Sequence, residues 1–151
     1  MAGEVLVDTN VLVYAYDRAE PGKQGRAIDT LRRLVATGRG RLSAQVLGEF
    51  FQVVTRKIQA RLSLADAYGQ MATLTRAWPV LPITPLIVLE AARGVRDHRL
   101  AYWDAQVWAT ARLNQIPLVL SEDFKDGRVL DGVQFLDPFA RAFDPATIGE
   151  L

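Results

Sequence analysis

The chain has 151 residues, half of them apolar, a net charge of +1 and no cysteine. These values predict one globular domain with a hydrophobic core, and they exclude disulfides and thiolate metal sites. We expect this domain to span residues 1–151, with its core at about 4–137 and a C-terminal tail at 138–151. The near-zero net charge favours no class of partner. Fifteen of the eighteen cations are arginines, which suit phosphate, although a GC-rich coding sequence is the simpler explanation.

The amino-terminal stretch argues against export or membrane insertion. Glu4, Asp8 and Asn10 interrupt what would be the apolar part of a signal peptide. No apolar run in the chain is long enough to cross a bilayer. We therefore expect a cytoplasmic protein. With His98 as the single histidine, a histidine metal site or a Ser-His-Asp triad has little basis.

The first predicted unit is a strand followed directly by a helix. Val5–Val7 is a short apolar run typical of a buried parallel strand, and Val11–Tyr16 carries apolar residues at helical spacing. Asp8 lies at the junction. Open α/β sheets bind their ligands at the carboxyl ends of the strands, so Asp8 lies at a position that is typical of a ligand-binding site. Taken alone, however, Asp8 is better explained as the N-cap of the following helix.

Helices and short strands alternate along the rest of the chain. Pro21-Gly22 indicates a turn, and Ser43, Ser63 and Thr84 are typical residues for the start of a helix. A polar connection is predicted at Arg96–Leu100. The predicted helices are Lys23–Thr37, Ala44–Ala60, Leu64–Ala77, Pro85–Val95 and Trp103–Asn114. The predicted strands after the first are Arg41–Ser43, Trp78–Ile83, Pro117–Leu120 and Gln134–Leu136. This alternation predicts a parallel sheet between two layers of helices.

Three further acidic residues are hard to explain as ordinary surface charges. Glu49 flanks the apolar face of its helix, although a salt-bridged glutamate is an equally good explanation. Asp104 lies on the apolar stripe of the last predicted helix, with an N-cap as the alternative. Asp123 follows the strand at Pro117–Leu120 and is otherwise a turn residue. Glu122 competes with Asp123 for any functional role.

Together with Asp8, these carboxylates are expected at one edge of the sheet, where strands end and the following helices begin. Such a cluster is strongly repulsive unless some carboxylates are protonated or a cation binds. Carboxylate ligands favour hard cations such as Mg2+ or Mn2+. Ions of this kind activate water for attack on phosphate esters, so the sequence predicts phosphoryl or phosphodiester hydrolysis.

Four short motifs along the chain carry a family resemblance. They are hydrophobic-DTN-hydrophobic around Asp8–Asn10, S-x-Q-V-x-x-E-F at Ser43–Phe50, W-D-A at Trp103–Ala105 and L-S-E-D-F at Leu120–Phe124. Each motif is weak alone. In this order and at these spacings, over roughly Val5–Leu136, the chain resembles the PIN-domain family. Within that family it is most similar to the VapC-type toxins of bacterial and archaeal toxin–antitoxin pairs.

The resemblance implies a three-layer α/β/α sandwich with a central parallel sheet, and endoribonuclease activity that depends on Mg2+ or Mn2+. The implied catalytic and metal-binding quartet is Asp8, Glu49, Asp104 and Asp123. Of these, Asp8 and Asp104 are the expected direct ligands. The residues implied to orient the ligands are Thr9, Asn10 and Ser121.

The resemblance also implies partners. RNA would lie across the acidic pocket, with arginines at its rim offsetting the backbone charge. A small antitoxin would insert a C-terminal segment into a groove and block the site, and the toxin would form a homodimer. The segment that contains Arg96, His98 and Arg99 has no assigned role. It is either a phosphate-binding element or, more simply, a solvated loop.

Three other interpretations remain open at this stage. The haloacid-dehalogenase family also begins with a strand and an aspartate, but it generally places a second aspartate where this chain has Asn10, and it expects a later lysine. A PIN fold could serve as a binding module without activity, although all four acids are present. A PIN nuclease could also act in RNA processing without an antitoxin.

Overall fold

A computed structural model describes residues 3–149 of the chain. The strands are β1 Val5–Val7, β2 Gly40–Ser43, β3 Val80–Leu81, β4 Leu118–Leu120, β5 Val129–Leu130 and β6 Val133–Leu136. The helices are α1 Thr9–Tyr14, α2 Pro21–Thr37, α3 Ala44–Arg56, α4 Leu64–Ala77, α5 Pro85–His98, α6 Tyr102–Leu113 and a 3-10 helix at Pro145–Ile148. Among these helices, none is long and apolar enough to span a membrane.

The strands form one sheet in the order β3-β2-β1-β4-β6-β5. All neighbours pair in parallel except β5, which pairs antiparallel with β6. The first strand is central and lies between β2 and β4. Its last residue, Val7, is paired with Leu120 at the end of β4. The residues that follow these two strands therefore leave the sheet side by side.

Helices cover both faces of the sheet because successive residues of a strand point to opposite sides. Val5 and Val7 belong to a core cluster shared with α1, α2, α3 and α4. Leu6 belongs to a second cluster with α5 and α6, which contains the fully buried Trp108 and Phe135. The predicted three-layer α/β/α sandwich is confirmed, with a sheet that is mostly rather than wholly parallel.

The antiparallel strand β5 was not predicted from the sequence. Asp131 and Gly132 connect β5 to β6 with φ angles of +46° and +83°. A two-residue hairpin turn with both φ angles positive strongly favours an Asp-Gly pair. The turn signal is thus present in the sequence, but a strand of two residues is too short to show an alternating pattern.

Several helix boundaries differ from the prediction, and three of the differences have a clear physical reason or consequence. The predicted turn at Pro21 is instead the first residue of α2, because the fixed φ of proline suits that position. Helix α3 ends at Arg56 rather than Ala60, since the chain turns back so that Leu62 packs on the core. Helix α5 extends to His98 and takes up most of the predicted polar connection.

The segment predicted as a C-terminal tail packs on the domain. Phe139 and Phe143 contact the first core cluster, and Ile148 is fully buried. Arg39, just before β2, donates hydrogen bonds to the carbonyl oxygens of Gly3 at 2.7 Å and Thr147 at 3.3 Å. Both ends of the described chain are therefore attached at the edge of the sheet where β1 begins.

The contact between α5 and α6 provides a test of the core. A Cβ atom added at Gly94 would lie 2.7 Å from the ring of Trp108, which is fully buried. We expect Gly94→Ala to lower the free energy of unfolding by about 1–3 kcal/mol. Gly25→Ala on α2 is the matched control, because a Cβ there meets nothing within 4 Å. Urea denaturation would measure both, and equal midpoints for the two variants would contradict this packing.

Candidate active site

The candidate site begins where the two central strands end. Asp8 follows β1 and is 4% exposed, and Ser121 follows β4 and is fully buried. The backbone N–H of Asp8 donates to the carbonyl oxygen of Leu120 at 3.0 Å, which fixes the two strand ends against each other. The parallel register thus places a carboxylate and a hydroxyl next to each other inside the protein.

Both oxygens of the Asp8 carboxylate accept hydrogen bonds. Oδ1 accepts the backbone N–H of Thr9 at 2.7 Å, and Oδ2 accepts the hydroxyl of Ser121 at 2.7 Å. The amide of Asn10 is 3.4 Å from Oδ2. Asp8 is also the N-cap of α1, so the capping explanation and a role in the site are compatible.

Asn10, in the first turn of α1, connects this helix to the loop after β4. Its amide nitrogen donates to Ser121 Oγ at 3.2 Å and to Asp123 Oδ2 at 3.1 Å. Its side-chain oxygen Oδ1 accepts the backbone N–H of Glu122 at 3.2 Å. Asn10 therefore bridges Asp8 and Asp123, as a residue that orients ligands should do.

Glu49 is held at both of its carboxylate oxygens. The hydroxyl of Thr9 donates to Oε2 at 3.2 Å, and the amide of Gln45 donates to Oε1 at 2.6 Å. No role was predicted for Gln45 from the sequence. Its contact with Glu49 was nevertheless predictable, because residues four apart on a helix lie on the same face.

Gln45 also joins Glu49 to the helix that carries Asp104. Its amide nitrogen donates to the carbonyl oxygen of Trp103 at 3.0 Å, and its oxygen accepts the Gln106 amide at 3.0 Å. Tyr102 in turn donates its hydroxyl to Gln106 at 2.9 Å. This chain of hydrogen bonds fixes the start of α6 against α3.

Asp104 is the third residue of α6, and the N-cap is Ala101. The capping explanation for Asp104 is therefore wrong. The side chain is half-buried, and within residues 3–149 its carboxylate has no hydrogen-bond partner. Loss of solvent raises the pKa of Asp104, and the nearby charges of Asp123 and Glu49 raise it further.

Burial has a larger effect on Asp8. Loss of solvent raises the pKa of Asp8 from its ordinary value of 3.8 to about 7, despite the opposing hydrogen bonds from Ser121 and Thr9. The charges of Asp123 and Glu49 also raise this pKa. The acidic residues are thus close enough to repel one another, although burial is the main reason for the raised pKa of Asp8.

Glu122 and Asp123 are adjacent but have different environments. The ammonium group of Lys23 lies 2.9 Å from Glu122 Oε2, and the hydroxyl of Tyr14 donates to Oε1 at 3.1 Å. Asp123 is exposed and contacts Asn10 instead. Glu122 is therefore neutralised by a cationic partner, whereas Asp123 contacts a residue that also contacts Asp8. Of the two competing residues, the contacts favour Asp123 as the member of the site.

These four acidic residues do not form a ready-made ion site. Within residues 3–149, no three acidic or histidine side chains are grouped closely enough to hold a metal ion. Hydrogen bonds through Thr9 and Asn10 connect Asp8, Glu49 and Asp123. Asp104 makes no such contact, but it is near enough to Asp123 and Glu49 for their charges to raise its pKa. The metal-binding role of the quartet stays a prediction.

A cavity of about 340 Å³ opens over the site and is lined by Glu49, Asp123 and Lys57, among others. Lys57 is exposed and has no ion-pair partner among residues 3–149. The Arg96–Arg99 segment does not line this cavity. Its Arg96 pairs with Asp97, and the ring of His98 contacts Asp131.

A family model described as PIN domain matches residues 5–129. The chain therefore belongs to the PIN-domain family, as its motifs predicted. No curated protein matches the chain.

Solved structures give the same fold. A toxin–antitoxin complex from Klebsiella pneumoniae is 16% identical, with 90% of this chain and 98% of that chain covered and a TM-score of 0.64. VapC20 of Mycobacterium tuberculosis, described as a sarcin-ricin loop cleaving toxin, is 20% identical, with 77% and 87% covered and a TM-score of 0.59. DNA-bound VapBC from Salmonella typhimurium is 14% identical, with 90% and 98% covered and a TM-score of 0.62. At these identities the similarity establishes the fold alone.

The raised pKa of Asp8 predicts how stability depends on pH. The folded state retains a proton that the unfolded chain releases near pH 4, so stability should fall as the pH rises from about 4 to 7. At about 1.4 kcal/mol per pKa unit, the loss has an upper limit of roughly 4 kcal/mol. Asp8→Asn removes this cost. We expect it to raise the melting temperature at pH 8 and to leave it nearly unchanged at pH 4.

Thermal melts in EDTA would measure this difference. The comparison between the two proteins isolates Asp8, because both share every other titratable group. Parallel melting curves over the whole pH range would show that Asp8 ionises normally.

Proposed function

We propose that the chain is an endoribonuclease dependent on Mg2+ or Mn2+, and the toxin of a toxin–antitoxin pair in the cytoplasm. The observation that carries this proposal is the linked set of carboxylates at the ends of β1 and β4, on α3 and at the start of α6. Membership of the PIN family supports nuclease chemistry. The similar structures include toxin–antitoxin complexes and a toxin described as cleaving the sarcin-ricin loop, which supports the assignment as a toxin of such a pair.

The donor set fits a hard divalent cation. It consists of carboxylate oxygens, the ligands that Mg2+ and Mn2+ prefer. Two features also call for positive charge, namely the strongly raised pKa of Asp8 and the carboxylate of Asp104 without a hydrogen-bond partner in the described chain. Asp8 and Asp104 would hold the ion directly, with Glu49 and Asp123 completing its surroundings. When bound, the cation would acidify water and offset charge on the scissile phosphate.

The protein itself supplies orientation. Ser121 and Thr9 hold Asp8, Thr9 and Gln45 hold Glu49, and Asn10 holds Asp123. These contacts fix three of the mutually repulsive carboxylates on rigid elements, which limits how far each must move when the ion and the substrate bind. Lys57 directly follows α3 and lines the same cavity as Glu49. It is placed to offset the charge of a neighbouring phosphate.

The antitoxin would occupy a second, apolar groove of about 490 Å³. The main lining residues from the flanking helices are Ile28, Leu31, Val35, Leu74 and Trp78. The groove adjoins the cavity over the carboxylates along residues 14–17. Ala15 and Tyr16 line the groove, whereas Tyr14 and Asp17 line the cavity over the carboxylates. A segment bound in the groove could therefore continue towards the carboxylates and block them.

We also propose a homodimer. Leu86 and Leu89 are large apolar side chains on the outer surface of α5, and both are exposed. Pairing such residues between subunits would remove them from water. The haloacid-dehalogenase alternative loses its support, because the chain belongs to the PIN family and carries Asn10 where a second aspartate would be needed.

Cleavage of RNA tests the proposed activity. We expect the wild type to cut single-stranded RNA with Mn2+ and to lose activity in EDTA. Asp8→Asn and Asp104→Asn should each lower the rate by at least about 100-fold, since each removes a proposed ligand. Asp66→Asn on α4 is the control for loss of an acidic side chain elsewhere. Equal rates for wild type and Asp8→Asn would refute the mechanism.

Binding of the ion can be measured without activity. A ligand that binds only the folded state stabilises it by about 2.7 kcal/mol at 100 times its Kd. Mn2+ should therefore raise the melting temperature of the wild type, and the increase should be much smaller for Asp104→Asn. The same increase for both proteins would place the bound ion elsewhere. Na+ at matched ionic strength would control for screening by salt.

A further inference from the structure

We propose that the cavity between the first turns of α3 and α6 binds an unpaired nucleobase of the RNA, stacked on Trp103, beside the phosphodiester that is cut. This inference rests on the proposed ribonuclease function and deepens it, because it identifies where the enzyme would read its substrate.

The cavity has a volume of about 420 Å³ and is adjacent to the acidic site. It is lined by Ala44, Gln45, Gly48, Glu49, Trp103 and Gln106. Glu49 also lines the acidic cavity, and Trp103 directly precedes Asp104. A ligand in this cavity would therefore contact Glu49 and lie next to the turn of α6 that carries Asp104.

Trp103 is exposed in a way that the fold does not require. It is 63% exposed, whereas Trp78 and Trp108 are both buried. Its position is nevertheless fixed, because its ring packs edge-to-face on Tyr102 at 4.9 Å and its carbonyl oxygen accepts the Gln45 amide. An aromatic ring held in place with an open face is what proteins use to stack the bases of single-stranded nucleic acid.

Gly48 gives independent support. It lies inside α3, where glycine is destabilising relative to alanine. No contact in the protein requires a glycine, because a Cβ atom there would meet nothing within 4 Å and the φ angle is not positive. Gly25 on α2 and Gly69 on α4 are equally open, but of these three glycines it is Gly48 that lines the cavity. Its missing side chain keeps the cavity accessible beside Gln45 and Trp103.

The polar groups of the cavity suit the edge of a base. Gln106 uses one of its two amide N–H groups to contact Gln45, and the second has no partner among residues 3–149. The amide oxygen of Gln45 accepts one hydrogen bond and has capacity for another. One flat apolar face with donors and acceptors at its rim matches an unpaired base, whose edges carry both. Bases inside a duplex are not available for such contacts, so the substrate would be single-stranded at this point.

The first experiment fills the cavity. Gly48→Leu is compared with Gly69→Leu, a control on the exposed surface of α4 where a Cβ also meets nothing within 4 Å. Both variants should have a higher melting temperature than the wild type, because leucine is the better helix former. Only Gly48→Leu should lose RNA cleavage, by roughly tenfold or more, through weaker substrate binding. Equal cleavage by the two stabilised variants would overturn the proposal.

The second experiment reads base stacking directly. Because Trp103 is the exposed tryptophan, intrinsic fluorescence should be quenched by a short single-stranded RNA of mixed sequence. The Asp8→Asn background prevents cleavage during the titration. An abasic chain of the same length should quench far less, and Trp103→Ala should weaken RNA binding by roughly tenfold or more, with partial recovery in Trp103→Phe. Equal quenching by the abasic chain would overturn base stacking.

The two experiments separate this inference from the proposed function. Quenching by RNA, combined with a wild-type protein that cuts no RNA, would support the base site and reject the ribonuclease. Cleavage that is unaffected by Gly48→Leu and Trp103→Ala would support the ribonuclease and reject the base site. A change in sedimentation of Gly48→Leu, without a change in the affinity for RNA, would make the cavity a subunit contact and overturn the inference.

Discussion

The buried carboxylate of Asp8 is the constraint on which the site depends. The central strand ends at this residue, and burial there raises its pKa to about 7. A charge in such a place is costly unless hydrogen bonds or a cation compensate for it. Ser121 and Thr9 supply part of the compensation, and Asn10 adds a weaker contact. The polar residues around the strand ends can therefore be understood as the surroundings that one buried acid requires.

Parallel pairing makes these surroundings possible. Because Val7 lies opposite Leu120, Asp8 and Ser121 leave adjacent strands at the same level, although they are 113 residues apart in sequence. The hydrogen bond between them needs no long loop to bring the partners together. The same pairing places Asn10 within reach of Asp123. The geometry of the site is thus set by backbone register, and the side chains complete it.

The sequence predicted the elements well where a local signal existed. Ser43, Ser63 and Thr84 all cap helices through their side chains, as expected from residue type. The prediction from sequence failed where the end of an element depends on tertiary contacts. The chain after Arg56 leaves the helix because Leu62 packs on the core, and no local pattern encodes that contact. Within the site, the positions of Asp8 and Asp123 were predictable from the strands that they follow. The contacts of Gln45 were not, since its second partner lies on α6.

The attachment of both chain ends has a consequence for engineering. Arg39 binds the carbonyl oxygens of Gly3 and Thr147, so the two ends lie close together at the edge of the sheet where β1 begins. The carboxylates lie at the opposite edge, where β1 and β4 end. A short linker between the ends, with new termini opened in a surface loop, should therefore give a circular permutant that keeps its fold. Fluorescent tags or surface tethers joined at either end would likewise extend away from the acidic cavity.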